Sequence, residues 1–341
     1  MRFLHVAIAS TLAAAALVAP AASQAGPLPA ARPGCVNTHY VVEFTGSIRT
    51  VNTVTNLPFG KRIKIGKTPG SMVIDARGTT AWVTNNGGGI SVIDLETRTV
   101  TQTIDDSAVP TNIAMSPDGS TIYVANARPG GLTVIDTATN EATTTPLAIG
   151  GAYGVAVSAD GQSVYVSAFS SSDTYVYALD AATLTPITQI QTGSKNKGLA
   201  LSPDGSQLWV SGNSVDQVHV IQTSDNTLLT SIDVGNKPER ITFAPDGQTA
   251  WVTNIGSANI SVIDVDSLLV EDIVPAGPLP FDVAFTPDGT TAYVSNSIGG
   301  TKSKSPMGTV TVIDVATGAI TKTIKHFWMP DNLMVCNPSL I

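Results

Sequence analysis

The 341-residue sequence holds few of the residue types that carry catalysis or metal binding. It has two cysteines, four histidines and 13% charged residues. Two cysteines exclude a disulfide-rich scaffold and a CxxC pair for a metal or redox site. HExxH, GxSxG and P-loop motifs are also absent, and Gly87-Gly88-Gly89 lies between strands rather than before a helix. The sequence therefore predicts no metal, no cofactor and no identifiable catalytic residue.

Basic residues are scarce as well, with 18 Lys and Arg against 26 Asp and Glu and a net charge of −8. Binding to nucleic acid depends on a cluster of basic side chains facing phosphates, so this balance argues against a nucleic-acid partner. The apolar run from Ala7 to Val18 is shorter than the roughly 20 residues that a membrane span needs. Pro20 follows it, which further disfavours a membrane anchor.

The N-terminus has the pattern of a secretory signal peptide. Arg2 precedes the apolar run, and small residues end at Ser23-Gln24-Ala25. We expect a signal peptide over residues 1–25, a Pro-rich segment over 26–38 and no membrane segment in the mature chain. This predicts a secreted or periplasmic protein, with residues 39–341 forming its folded domain.

A repeat of about 42 residues runs through the mature chain. Its clearest marker is a glycine that closes a four-residue turn such as SPDG, at Gly78, Gly119, Gly161, Gly205, Gly247 and Gly289. Proline presets φ in such a turn and glycine accepts a positive φ. A Trp-Val or Tyr-Val pair follows each turn, then a segment such as SVID and a Thr-rich strand. Each repeat thus predicts four short strands.

The pairs and the two residues after them resemble the YVTN-repeat family. The resemblance is carried by Trp82-Val83-Thr84-Asn85, Trp251-Val252-Thr253-Asn254 and the looser Tyr123-Val124-Ala125-Asn126. It implies an all-β, seven-bladed β-propeller with four-stranded antiparallel blades. It also implies an extracytoplasmic protein, most often a non-catalytic binding module.

Six blades are complete over residues 67–328, and the seventh is split between 39–66 and 329–341. The segment from Pro330 to Cys336 aligns with Pro110 to Ser116 and predicts an innermost strand. Tyr40 to Val42, Ser47 to Val51 and Arg62 to Ile65 predict the other three strands of that blade. This one-plus-three closure brings Cys35 close to Cys336 and predicts a disulfide; two unpaired buried thiols are the alternative.

The start of each inner strand, counted from the proline before it, is the candidate site. The third and fifth positions are large and apolar and are expected to pack between blades, whereas the second and fourth are expected to face the central channel. The second position carries Ser71, Asn112, Gly154, Gly198, Arg240, Asp282 and Asn332. Around this ring we expect Tyr153, Lys197, Glu239, Phe281 and Asp331 from the first position, with His326, Phe327 and Trp328 on the loop before the closing strand.

From these residues the predicted ligand-binding set is Asn112, Tyr153, Lys197, Arg240, Phe281, Asp282, His326, Trp328 and Asn332. Arg240 and Asp282 lie on adjacent blades, so they could form a structural ion pair or bind a carboxylate or carbonyl group of a ligand. The loop Ile298 to Gly308 is about eight residues longer than its counterpart in the preceding blade. It is either a functional loop or a tolerated insertion.

Two functions remain open. The first is a monomeric binding module for a small molecule or an extracytoplasmic protein. The second is a cofactor-independent cyclase, Diels-Alderase-like enzyme, lyase or isomerase that holds an apolar molecule in the same mouth by orientation and a few hydrogen bonds. His326 near Asp282, Asp331 or Glu239 is a weak counterpart of the histidine and carboxylates found in propeller lyases. A deep pocket lined by aromatic side chains would favour a small ligand.

Overall fold

A computed structural model of the chain describes residues 37–105, 108–169, 174–193, 195–297 and 308–336. These residues form seven four-stranded antiparallel sheets. Each inner strand contacts the inner strands of the two neighbouring sheets, and the last of them contacts the first, so the sheets close into a ring. The protein is an all-β, seven-bladed β-propeller, as the repeat predicts. In the described part of the chain no helix is long and apolar enough to cross a membrane.

The blade that closes the ring contains β1 (Thr38–Glu43), β2 (Ser47–Asn52), β3 (Leu57–Lys64) and, as its innermost strand, β28 (Pro330–Val335). The next three blades contain β4 (Pro69–Ile74), β5 (Thr80–Asn85), β6 (Ile90–Asp94) and β7 (Thr99–Ile104); β8 (Pro110–Met115), β9 (Thr121–Ala127), β10 (Gly130–Asp136) and β11 (Ala142–Pro146); and β12 (Gly151–Val157), β13 (Ser163–Phe169), β14 (Thr174–Asp180) and β15 (Pro186–Gln191).

The remaining three blades contain β16 (Asn196–Leu201), β17 (Gln207–Gly212), β18 (Gln217–Gln222) and β19 (Thr227–Asp233); β20 (Pro238–Phe243), β21 (Thr249–Asn254), β22 (Asn259–Asp264) and β23 (Leu269–Pro275); and β24 (Pro280–Phe285), β25 (Thr291–Ser297), β26 (Gly308–Asp314) and β27 (Ile320–Phe327). In these six blades the strands run from the channel outward in chain order, whereas in the closing blade β28 lies inside β1, β2 and β3.

The closing blade confirms the predicted one-plus-three arrangement. β28 pairs antiparallel with β1, so that Leu333 lies opposite Val41 and Met334 opposite Tyr40. Cys336 is buried directly after β28. Cys35 and the signal peptide lie outside the described residues, so the disulfide and the processing site stay predictions.

Packing between blades follows the repeat. At the third position of the inner strand, Met72, Ile113 and Leu333 are nearly inaccessible to solvent. From the second strands, Trp209, Trp251 and Tyr293 are buried between blades as well, and Tyr293 packs in the same cluster as Leu333. Burying a large apolar side chain stabilises a fold by about 1.5–3 kcal/mol. Because one sheet cannot cover both of its faces, this burial depends on the ring being closed.

Among the described residues, a hydroxyl group joins the inner strand to the next blade in six of the seven blades. Most inner strands begin with a β-bulge, and in the fifth blade Thr253 Oγ1 accepts a hydrogen bond from the bulged Arg240 amide at 3.1 Å and donates to the Phe281 carbonyl of the sixth blade at 3.0 Å. The bulge leaves a backbone amide out of the ladder, and the hydroxyl satisfies it. The same role is filled by Thr84, Ser167, Ser211 and Ser295.

The second blade shows why the hydroxyl matters. Ala125 stands where five other blades have Ser or Thr and the closing blade has Val42. In the second blade Thr111 on the inner strand supplies the hydroxyl instead. Thr111 Oγ1 lies 2.9 Å from the Ala125 carbonyl and 2.9 Å from the Tyr153 carbonyl of the next blade. The hydroxyl residue at the third position of the YVTN segment therefore links one blade to the next.

Glu43 fixes the loop that leads into the closing strand. Its buried carboxylate accepts hydrogen bonds from Arg62 Nε at 2.7 Å, Ser47 Oγ at 2.6 Å and the Trp328 amide at 3.0 Å. Arg49 donates to the His326 carbonyl at 2.6 Å. A buried carboxylate is tolerated because every partner is charged or a hydrogen-bond donor.

Candidate functional site

A cavity of about 280 Å³ opens at the axis where the inner strands begin; we call it the mouth. All seven first positions line it, together with three second positions and two loop residues. The first positions are Gly70, Thr111, Tyr153, Lys197, Glu239, Phe281 and Asp331, and the others are Asn112, Gly198, Arg240, Asn86 and Ile255. The predicted residues Asn112, Tyr153, Lys197, Arg240 and Phe281 thus come together in one cavity.

Two charged groups in the mouth have no hydrogen-bond or ion-pair partner in the part of the chain that the structure describes. The Arg240 guanidinium makes no hydrogen bond or ion pair with the described residues, and neither does the Asp331 carboxylate. Lys197, in contrast, lies 3.8 Å from Glu239 and 4.0 Å from the centre of the Tyr153 ring. Arg240 and Asp331 therefore keep their hydrogen-bonding capacity for a ligand.

The surroundings of Asp331 favour its neutral form. Burial raises the pKa of this carboxyl to about 7, and the negative charges of Asp282 and Glu239 act in the same direction. Arg240 and Lys197 oppose the rise without cancelling it. A carboxyl group with a pKa near 7 can accept or donate a proton at neutral pH, which is a property of acid–base sites.

Asp282 and Asn332 do not lie at the mouth, in contrast to the sequence expectation. Asp282 Oδ2 accepts hydrogen bonds from Asn332 Nδ2 at 2.8 Å and from the Leu333 amide at 2.9 Å, and Asn332 Oδ1 accepts one from the Met72 amide at 3.1 Å. They join the sixth, seventh and first blades deeper in the channel. No ion pair within 4.0 Å links Asp282 to Arg240 among the described residues, so the expected pair is not formed.

His326 and Trp328 do not line the mouth either. His326 is exposed at the end of β27, where its carbonyl accepts from Arg49, and the Trp328 amide binds Glu43. Phe327 is fully buried under the Arg49 guanidinium, 5.3 Å from its ring centre, so it offers no surface to a ligand. The loop is fixed to the outer strands of the seventh blade, and this draws it away from the axis.

Sequence reasoning missed four lining residues. Gly70 and Thr111 occupy the same first position as the residues that were selected, so their place in the repeat could have identified them. Asn86 and Ile255 follow the YVTN segment in their blades and come from the loops between second and third strands that we expect at this mouth. Residues 298–307 of the longer loop lie outside the described residues.

Comparisons with known proteins agree on the fold. Residues 74–200, less than half of the chain, match the family model described as the cytochrome D1 heme domain. No curated protein matches. Hydrazine synthase from Kuenenia stuttgartiensis is similar over 89% of this chain and 98% of its own, with 18% identity and a TM-score of 0.70.

Two further solved structures have similar scores. A functionally unknown protein from Desulfotomaculum acetoxidans DSM 771 matches over 89% of this chain and 100% of its own, with 17% identity and a TM-score of 0.73. Dihydro-heme d1 dehydrogenase NirN in complex with DHE matches over 91% of this chain and 77% of its own, with 16% identity and a TM-score of 0.66. At these identities the likeness establishes the propeller fold alone.

Proposed function

We propose that this chain is an extracytoplasmic binding propeller that takes a small molecule with a carboxylate group at the mouth. The observation that carries the proposal is the unpaired Arg240 guanidinium in a cavity of about 280 Å³ beside the unpaired Asp331 carboxyl. Guanidinium forms two parallel hydrogen bonds with a carboxylate, and Asp331 adds a partner for a hydroxyl or amine group. Phe281 and Tyr153 supply apolar surface next to them.

Several observations support a small ligand over a protein partner. The mouth is a concave cavity close in size to known small-molecule sites, and it combines two aromatic rings with a few polar groups. The matching family model is named for a domain that binds a small molecule. The signal-peptide pattern supports an extracytoplasmic location. Our assignment of the chain to the YVTN-repeat family is supported by the three segments quoted in the sequence analysis.

A heme does not fit the described residues of this mouth. Heme iron is held by His, Cys, Met or Tyr side chains. Of these only Tyr153 lines the mouth, and the Lys197 ammonium lies over its ring. His39 and His219 are buried within blades, and His326 lies at the outer end of β27. We therefore derive no step through heme and propose a carboxylate ligand instead.

The binding proposal is tested by calorimetric titration of the mature protein with benzoate, which presents one carboxylate and one ring. We expect binding by the wild type and a loss of about tenfold or more in affinity for Arg240→Ala, because a charge-assisted pair contributes about 1.5–3 kcal/mol. Arg77→Ala, the same change at an exposed position on the opposite face, is the matched control and should bind as the wild type does. Equal affinity of all three proteins would remove Arg240 from the site.

Asp331 favours a second candidate function, a cofactor-independent isomerase or lyase. With Arg240 holding the carboxylate of a substrate, Asp331 would take a proton from the adjacent carbon, and its pKa of about 7 suits that step. The test is incorporation of deuterium from D₂O at that carbon of a bound carboxylate, followed by NMR. Exchange that persists in Asp331→Asn would exclude Asp331 as the base, and no exchange in the wild type would leave the binding proposal in place.

A further inference from the structure

A second cavity lies at the other end of the inner strands and has the opposite chemistry. It measures about 480 Å³; we call it the lower cavity. Fourth- and fifth-position side chains form its wall, and prolines of the PDG turns form its rim. These include Val73, Phe243, Met334, Pro203, Pro245 and Pro287. Its size and apolar lining are those of small-molecule sites.

The lower cavity has only one charged residue among the described residues that line it. That residue is Asp282, whose carboxylate already accepts hydrogen bonds from Asn332, Leu333 and Val283. No Lys, Arg or His of the described chain lines it. Burial raises the pKa of Asp282, which shows that this region solvates negative charge poorly. An anionic ligand is therefore disfavoured in the lower cavity, whereas Arg240 favours one at the mouth.

One polar group of the lower cavity remains available. Ser71 is 4% exposed, lines the cavity and makes no side-chain hydrogen bond with the described residues, since its amide and carbonyl alone contact Thr84. The Ser71 hydroxyl is open to the cavity, where the hydroxyl or carbonyl group of a ligand can form a hydrogen bond with it. The polar side chains of Thr242, Thr286 and Asn332 also line the cavity, but each already makes a hydrogen bond within the protein. Among the described lining residues, the Ser71 hydroxyl is therefore the group most available to a ligand.

We propose that the lower cavity is a second binding site, independent of the mouth, for a neutral and mainly apolar small molecule that carries a single hydrogen-bonding group. Three features of the described residues carry this inference. They are the apolar wall, the single carboxylate already satisfied by neighbouring blades, and the free Ser71 hydroxyl. The site does not depend on what the mouth binds, because the two cavities share no lining residue.

Two fluorescent dyes of the same skeleton test the proposal on the mature protein. N-phenyl-1-naphthylamine is neutral, and 8-anilinonaphthalene-1-sulfonate is the same skeleton with a negative charge. We expect the neutral dye to bind with increased fluorescence and the anionic dye to bind at least about tenfold more weakly. Equal binding of both dyes, or no binding of the neutral dye, would overturn the proposal.

Variants locate the dye within the molecule. Val73→Phe narrows the lower cavity and should weaken the neutral dye by about tenfold. Val215→Phe, the same change at an exposed valine outside both cavities, and Arg240→Ala at the mouth should leave its affinity unchanged. If Val73→Phe fails to fold by circular dichroism, Thr242→Phe at another lining position takes its place. Unchanged affinity in a folded cavity variant, or an equal loss in Val215→Phe, contradicts the assignment.

The Ser71 hydroxyl is tested by competition. In the wild type, 1-naphthol should displace the neutral dye about threefold or more better than naphthalene, because it alone bonds to Ser71. In Ser71→Ala, 1-naphthol and naphthalene should displace the neutral dye equally well. An advantage for 1-naphthol that survives in Ser71→Ala would show that the hydrogen-bonding group of the site is not Ser71.

Discussion

The first and third positions of the same seven inner strands follow opposite rules. At the third position every blade has an aliphatic residue or methionine: Met72, Ile113, Val155, Leu199, Ile241, Val283 and Leu333. At the first position every blade has a different residue type: Gly70, Thr111, Tyr153, Lys197, Glu239, Phe281 and Asp331. The third position faces the neighbouring blade, where dense packing restricts the choice. The first position lines the mouth, where a ligand can determine most of the residues. The exceptions are Thr111, which links two blades, and Gly70, where an added Cβ would lie 2.9 Å from the Thr111 carbonyl oxygen.

The largest effect is expected at a third position. Leu333→Ala on β28 should lower the free energy of unfolding by about 3 kcal/mol, because it leaves a cavity at the interface that closes the ring. Urea unfolding followed by circular dichroism measures this change. Asp331→Asn, two residues away on the same strand, is the control and should not lower stability. Similar losses for both variants would mean that the first position also carries packing.

A buried histidine in the packed interior makes the stability of the fold depend on pH. His39 in β1 is inaccessible to solvent, has no hydrogen-bond partner among the described residues and packs edge-on against Tyr293 with ring centres 4.5 Å apart. Burial lowers its pKa from 6.5 to about 3. Between these values the unfolded chain binds a proton that the folded chain does not, so stability falls as the pH falls below 6.5.

His39→Phe should therefore resist acid better than the wild type. Between pH 7.5 and pH 4 the free energy of unfolding of the wild type should fall by about 3 kcal/mol more than that of the variant. At pH 7.5 the histidine is neutral in both the folded and the unfolded state, so it makes no pH-dependent contribution there. Urea unfolding of both proteins from pH 4 to 7.5 checks it. Parallel pH profiles would show that His39 is not the group that makes the packed interior sensitive to acid.

The sequence predicts the ring and its closure because packing forces a period on the residues, and the alignment of Pro330 to Cys336 with Pro110 to Ser116 follows from that period. It predicts the mouth in part, since Tyr153, Lys197, Arg240 and Phe281 meet there. It does not predict that Asp282 turns to the neighbouring blade while Arg240 stays unpaired. Both strands begin with the same β-bulge. The difference comes from the next inner strand, where Asn332 and the Leu333 amide donate hydrogen bonds to Asp282.

The hydroxyl link between blades should have an intermediate effect. Thr253→Val removes the acceptor for the Arg240 amide and the donor to the Phe281 carbonyl while keeping the side-chain volume. We expect a loss of about 1–2 kcal/mol in unfolding free energy. In the second blade, where Ala125 replaces the hydroxyl residue, the same loss should follow from Thr111→Val. A neutral Thr111→Val variant would show that the second blade does without the link.

The smallest effect is expected at the mouth, where solvent screens charge. Between pH 4 and pH 7 the folded chain keeps the proton on Asp331 that the unfolded chain releases, because the pKa is raised to about 7 in the fold. This contribution to stability falls as the pH rises through that window and stays low above it. Asp331→Asn has no such proton. The lead of the variant, which is its melting temperature minus that of the wild type, should therefore increase from pH 4 to pH 7 and stay constant above pH 7. As unfolding free energy, the lead should stay below the roughly 4 kcal/mol that the full shift would give, because Asp331 is only partly buried at the mouth. A lead that shrinks with rising pH would mean that the folded protein stabilises the charged form of Asp331, and the mouth would then favour a cationic ligand.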